Sequence, residues 1–98
     1  MREAKGLNGE VEEVLGSRGR IRLVKALIEV QKSGRTASIS KLKAATRLRR
    51  RSVQGHLEIL LNHGWIEEIQ TAEGRKYKLK ENGKTEAVKR LFRELGYL

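Results

Sequence analysis

Between Trp65 and Lys80 the apolar period of the chain changes, and that change limits the folds open to it. Upstream, apolar residues recur every three or four positions, as in helices packed on one side. Trp65 to Ile69 then reads as a strand and Thr71-Ala72-Glu73-Gly74 as a turn. Arg75 to Lys80 alternates, with Tyr77 and Leu79 on one face and Lys76, Lys78 and Lys80 on the other. Helical spacing returns at Val88, Leu91, Phe92 and Leu95, which fall at i, i+3, i+4 and i+7. The class is therefore mainly α with a small β-hairpin (α+β).

The helices upstream can be placed by their ends. Ser17 is a competent N-cap, Ile21, Val24, Leu27 and Ile28 form a stripe, and Gly34 stops the helix, which spans about 18–32. Ala37-Ser38-Ile39 reads as a minimal strand. Ser40 is expected to cap a second helix, Lys41 to Thr46, with Leu42 and Ala45 inward. After Arg47-Leu48-Arg49 a third helix runs from about Arg50 to His63, its apolar stripe made by Val53, Leu57, Leu60 and Leu61 and its end marked by Gly64. Residues 1–9 are expected as a flexible arm, with a short helix through Val11, Val14 and Leu15, and residues 10–98 as one domain. The order helix-strand-helix-helix-hairpin-helix, with a three-residue turn between the middle helices, matches a winged helix-turn-helix.

Charge narrows the function. The 98 residues carry 22 Lys and Arg against 12 acids, all Glu, for a net charge of +10. Such a field attracts polyanions, and phosphate contacts supply most non-specific affinity for nucleic acid. The charge is also uneven: from Arg35 to Arg51 there are seven basic residues and no acid. There is no cysteine, hence no disulfide and no thiolate metal site. The two histidines, His56 and His63, share one helix with no third ligand near, so no metal is expected. No Ser/His/acid set or carboxylate pair stands at meaningful spacing, so neither an enzyme nor a cofactor is expected. With no membrane-length apolar run and no signal pattern, the expected location is cytoplasmic. The weight of Glu, Lys and Arg resembles archaeal or thermophile composition.

Winding the third helix at about 100° per residue with Val53 at zero places Leu57, Leu60 and Leu61 on the core side. Arg51, Gly55, Glu58 and Asn62 fall opposite, at about 140–200°. Arg51 there suits the O6 and N7 acceptors of guanine, and Gln54 the N6 and N7 edge of adenine. Ser52 suits a phosphate or a base edge. Gly55 would let backbone approach the groove; simple tolerance of a poor helix former is the competing reading. Arg47, Arg49 and Arg50 in the turn, with Lys41 and Lys43 on the preceding helix, suit phosphates. In the hairpin Arg75, expected at the tip, suits a narrow minor groove, with Lys76 beside it. The bland readings are a solvated helix face and a charged hairpin edge that resists aggregation. His56, at the rim of the core stripe, reads as a packing residue or phosphate donor, and Trp65 as packing under the hairpin.

The segment Leu48-Arg49-Arg50-Arg51-Ser52-Val53-Gln54-Gly55-His56-Leu57-Glu58-Ile59-Leu60 resembles the recognition helix of small prokaryotic and archaeal regulators of the ArsR and MarR type. Asn62-His63-Gly64-Trp65-Ile66 resembles their helix-to-strand junction, Gly74-Arg75-Lys76-Tyr77-Lys78-Leu79 their wing, and Glu81-Asn82-Gly83 the turn into their last helix. The resemblance implies a DNA-binding transcription regulator with the recognition helix, about 50–63, in the major groove and the wing, about 70–77, on the minor groove or backbone. Two departures stand out. The metal-binding cysteines of many ArsR-type sensors are absent, and Arg49-Arg50-Arg51 replaces small polar residues.

Such modules usually act as two-fold dimers. Val88, Leu91, Phe92 and Leu95 either cover the core or pair with a second copy, and a homodimer through the last helix is expected. Double-stranded DNA is the first partner. A non-sequence-specific nucleic-acid binder, architectural or RNA-binding, and a protein–protein interaction module on the same fold are the alternatives.

Overall fold

A computed structural model describes residues 2–98, with side chains from residue 9 onward. Its elements are α1 (Arg2–Leu15), α2 (Arg18–Lys32), α3 (Ile39–Thr46), α4 (Arg50–Asn62), β1 (Ile66–Thr71), β2 (Gly74–Leu79) and α5 (Gly83–Glu94). The segment expected as an arm is helical from Arg2 on; Met1 lies outside the described residues.

α2 runs through the middle of the domain. Ser17 caps it as expected, its Oγ accepting the Arg20 N–H at 3.2 Å. Leu23, Val24, Leu27 and Ile28 are buried against Leu42 of α3, Val53, Leu57 and Leu60 of α4, and Ile66 and Leu79 of the hairpin. These aliphatic side chains carry the fold, each contributing about 1.5–3 kcal/mol when fully buried.

The start of α3 differs from expectation. Ser38, not Ser40, is the N-cap; its Oγ accepts the Lys41 N–H at 3.1 Å, and Ser40 is an exposed helical residue. The reason lies on either side of the cap. With Ser38 as N-cap, Ala37 and Leu42 take the positions of a hydrophobic staple, and both are fully buried. The expected strand 37–39 shrinks accordingly to one bridge. Ala37 exchanges two hydrogen bonds with Tyr77, at 2.9 and 2.8 Å.

β1 and β2 pair antiparallel, with Ile66 opposite Leu79 and Thr71 opposite Gly74. Gln31 finishes the sheet edge: its Oε1 accepts the Leu79 N–H at 3.1 Å. Gly64 leads into the hairpin at φ +73°, a left-handed conformation that glycine adopts without steric cost.

α1 docks through Val14, fully buried in the core, with Leu15 packed beside it, and through a set of polar contacts. Trp65 donates its indole N–H to Glu10 at 2.8 Å, and Lys84 reaches the same carboxylate oxygen at 2.5 Å. Both bonds favour the ionised form and hold the Glu10 carboxyl below its ordinary value, Lys84 contributing most. Glu13 meets His63 at 2.6 Å, while its backbone carbonyl accepts from Nε of the buried Arg20 at 3.0 Å. Trp65 therefore presents its polar edge to α1, where it was expected under the hairpin. The indole needs a partner for its buried N–H, and Glu10 supplies it.

Candidate nucleic-acid interface

The link between α3 and α4 is held by Thr46. Its buried hydroxyl donates to the Leu42 carbonyl at 2.6 Å and accepts the Leu48 N–H at 3.3 Å. Arg47 then sits in the left-handed region, φ 62°, with its N–H on the Lys43 carbonyl at 2.7 Å. A side chain there costs about 1–2 kcal/mol, a strain that glycine would avoid. The turn keeps an exposed arginine instead.

α4 is set against α2 at a close crossing. A Cβ on Gly19 would lie 2.8 Å from His56 Nε2, so only glycine admits the imidazole in this position. His56 is half-buried there, as its place at the rim of the stripe suggested. Burial, and then the neighbouring Arg20 charge, push its pKa below the ordinary value. With Val53, Leu57 and Leu60 inward, the opposite face of α4 is open: Arg50, Arg51, Ser52, Gln54, Gly55 and Glu58 are all exposed.

The N-terminus of α4 is unusual. Arg49 is its N-cap and makes no side-chain capping bond, and the first turn holds no acid. Arg49, Arg50 and Arg51 cluster at this end, none in an ion pair among the described residues. The positive end of a helix dipole disfavours cations by about 0.3–1 kcal/mol each. It also presents unpaired N–H groups that suit an anion. In isolation this arrangement is electrostatically frustrated; a phosphate backbone would relieve it.

A cleft joins α4 to the hairpin. Arg51, Gln54, Gly55 and Glu58 line one side, and Glu68 and Arg75 the other. Three of the expected reading residues, Arg51, Gln54 and Gly55, thus come together with Arg75. Arg75 stands in β2 opposite Gln70, two positions after the tip at Ala72-Glu73, where it was expected at the tip itself. It shares the inner face with Tyr77, and its Nε lies 3.5 Å from Glu68. Lys76 faces the other way, toward Glu73 at 3.6 Å, and does not join the cleft. Ser52 lies on the exposed flank of α4, outside the cleft. On α3, Lys41 is exposed and Lys43 half-buried, both also outside it. The two glutamates were absent from the expected site. Glu58 was legible on the helical wheel, whereas Glu68 reaches Arg75 only through the diagonal neighbourhood that the strand register creates. No packing reason requires Gly55, because a Cβ there would meet nothing within 4 Å.

No protein-family model matches the sequence, and no curated protein does. Solved structures do match over nearly the whole chain. The transcriptional repressor BigR from Xylella fastidiosa superposes with a TM-score of 0.75 at 20% identity, covering 94% of this chain and 85% of that one. HlyU from Vibrio cholerae gives 0.71 at 17%, covering 95% and 96%. Mb0332 from Mycobacterium bovis, described as a homodimeric winged helix-turn-helix DNA-binding domain of a possible ArsR-family regulator, gives 0.67 at 20%, covering 97% and 82%. The fold is a winged helix-turn-helix. Within it α3 and α4 form the helix-turn-helix pair, and β1 and β2 the wing.

The last helix of this winged helix divides the four residues expected at a dimer interface. Val88 and Phe92 are buried in the protomer's own core, Phe92 stacking edge-on against Tyr97 at 5.0 Å, and so are not free for a partner. Their neighbours on the wheel differ: Leu91 is 48% exposed and Leu95 72%. With Leu15, Ile21 and Tyr97 they line an apolar hollow, near an α1 that leaves Val11 60% exposed. Among the described residues no three metal-ligating side chains converge, and no helix is long and apolar enough to cross a membrane.

Proposed function

We propose that the chain is a transcriptional regulator that binds double-stranded DNA as a homodimer. The carrying observation is the N-terminus of α4: three exposed arginines and uncapped N–H groups at the positive end of a helix that leads into the α4–wing cleft. In this reading α4 enters the major groove, where Arg51 and Gln54 meet base edges and Gly55 permits close approach. Arg47, Arg49 and Arg50, with Lys41, Lys43 and Ser52 beside them, hold phosphates and fix the register. Arg75 lies against the minor groove or backbone, steered by Glu68, with Lys76 on the outer side of the wing.

Leu91 and Leu95 supply the protomer's contribution to the dimer, with the hollow beside them. The likeness to BigR, a transcriptional repressor, and to Mb0332, a homodimeric DNA-binding domain, supports both parts of the reading.

In vitro selection of bound duplexes at physiological salt, with RNA competitor present, tests it. A recovered consensus is expected. Arg51→Ala should weaken that consensus by about 1–3 kcal/mol and relax one position, while Arg49→Ala weakens all duplexes alike and lowers the salt slope by about 1. Equal losses on every sequence for both variants would reduce the protein to a non-specific binder. Sedimentation at about tens of micromolar, the range of weak specific association, should show a dimer; only the 11.2 kDa monomer there would remove that part.

A further inference from the structure

α2 carries a second basic surface, which the α4–wing cleft does not use. Arg18, Arg22, Lys25, Glu29 and Lys32 recur at i, i+4, i+7, i+11 and i+14. At about 100° per residue they lie within about 40° of one line along the helix. The line is open: Arg18, Arg22, Glu29 and Lys32 are exposed and Lys25 is half-buried. None of the five makes an ion pair among the described residues, although Lys25 and Glu29 stand at a spacing that permits one. Four cations to one acid, at about 1.5 Å per residue, give a track about 21 Å long, the axial rise of about six base pairs.

The track is continuous with the helix-turn-helix turn. At Gly19, next to Arg18, α2 comes so near that turn and α4 that an added Cβ would meet Leu48 at 3.5 Å and His56 at 2.8 Å. Farther along, Arg22, Lys25 and Glu29 line an open concavity with Thr46, Arg47 and Tyr97. There Lys25 Nζ stands 4.4 Å above the Tyr97 ring, which orients the ammonium without neutralising it. Arg47, in the turn just before α4, lines this concavity and so joins the stripe to the start of α4.

The geometry points to a second backbone-binding surface: the α2 stripe of Arg18, Arg22, Lys25 and Lys32 engages duplex DNA that flanks the segment held by α4 and the wing. This rests on the reading of α4 as a DNA-binding helix and extends it. Spacing and charge suit a regular polyanion: four cations against the single carboxylate of Glu29, with no apolar side chain on the line, suit phosphates better than base edges. Contacts of this kind lengthen the footprint and add to the salt dependence without adding sequence preference.

The test compares wild type with an Arg18→Ala/Arg22→Ala double variant and with Arg51→Ala. Each binds the selected site in duplexes of about 20 and about 40 base pairs, two and four helical turns. Both substituted side chains in the double variant are exposed, and circular dichroism confirms folding. On the long duplex the double variant is expected to bind about tenfold more weakly at physiological salt, with a salt slope lower by about 2, since each phosphate contact contributes about 0.9. On the short duplex it should match wild type within about twofold, whereas Arg51→Ala weakens both lengths alike. Unchanged binding of the double variant to the long duplex, an equal loss at both lengths, or a loss confined to a structured RNA overturns the inference and leaves the reading of α4 intact. Wild type that binds neither duplex overturns the reading of α4, and the stripe's role with it.

Discussion

α5 and α4 begin in opposite ways. α5 opens with a full capping box: the Asn82 side chain accepts the Thr85 N–H at 3.0 Å, and the Thr85 hydroxyl accepts the Asn82 N–H at 3.1 Å. Asn82 also donates to the Gly64 carbonyl at 3.1 Å, and Glu86 places a negative charge in the first turn. Cap and acid agree with the helix there, and the one cation of the first turn, Lys84, is paired with Glu10. α4 opens with Arg49, no side-chain cap and two further arginines, so its local choices oppose the helix. Places where local chemistry works against the fold mark function more reliably than charge counts do. The N-terminus of α5 is satisfied within the fold, and that of α4 is left without a side-chain cap.

The comparison can be tested from both sides. Asn82→Ala should cost about 1–2 kcal/mol in urea unfolding and leave the duplex affinity of the folded protein unchanged; a loss of affinity without a loss of stability would put α5 in the interface. Gly55→Ala should do the reverse. It gains about 1 kcal/mol of helix stability, because its Cβ meets nothing within 4 Å, and it weakens duplex binding. A variant that is more stable and binds normally would mean that the backbone at Gly55 does not approach DNA.

Smaller effects sharpen the same contrast. Arg47→Gly relieves the left-handed strain and should raise stability by up to about 1 kcal/mol, the gain limited by the looser unfolded chain, while duplex affinity and the salt slope fall. The smallest effect concerns pH. Burial holds the folded His56 pKa below its ordinary value, so as pH falls the unfolded chain takes up this proton first. The unfolded state then binds more protons, and stability declines with pH below about 6.5. Glu10, held low by Lys84 and Trp65, adds its own loss only at more acid pH, as its folded carboxyl protonates. His56→Gln should flatten the first decline and leave the second; identical unfolding curves for both proteins across about pH 7.5 to 5.5 would exclude His56 as the source.

What could be read from the residues was what depends on neighbours in sequence. The bounds of α2 and α4, the hairpin turn and the exposed face carrying Arg51, Gln54 and Gly55 follow from period and caps. The start of α3 was misplaced because Ser38 and Ser40 are equally good caps, and only the burial of Ala37 and Leu42 chooses between them. The polar side of α1's docking was hidden for another reason. Glu10 meets Trp65 and Lys84, and Glu13 meets His63, across 50 to 74 residues of chain. No local pattern encodes such pairs. The left-handed Arg47 was also invisible, since a glycine would normally advertise that conformation. The α2 stripe was legible in principle, but it appears only when the wheel used for apolar residues is applied to the charged ones.

Arg49→Asp bears most directly on the central claim, that the start of α4 is shaped for an anionic backbone at the expense of the helix. The substitution supplies an N-cap oxygen and reverses the charge at the positive end of the dipole. Measured side by side by unfolding and by duplex titration, the variant should be more stable by about 1 kcal/mol and bind duplex at least about tenfold more weakly. A variant that gains stability and keeps its affinity would contradict the claim.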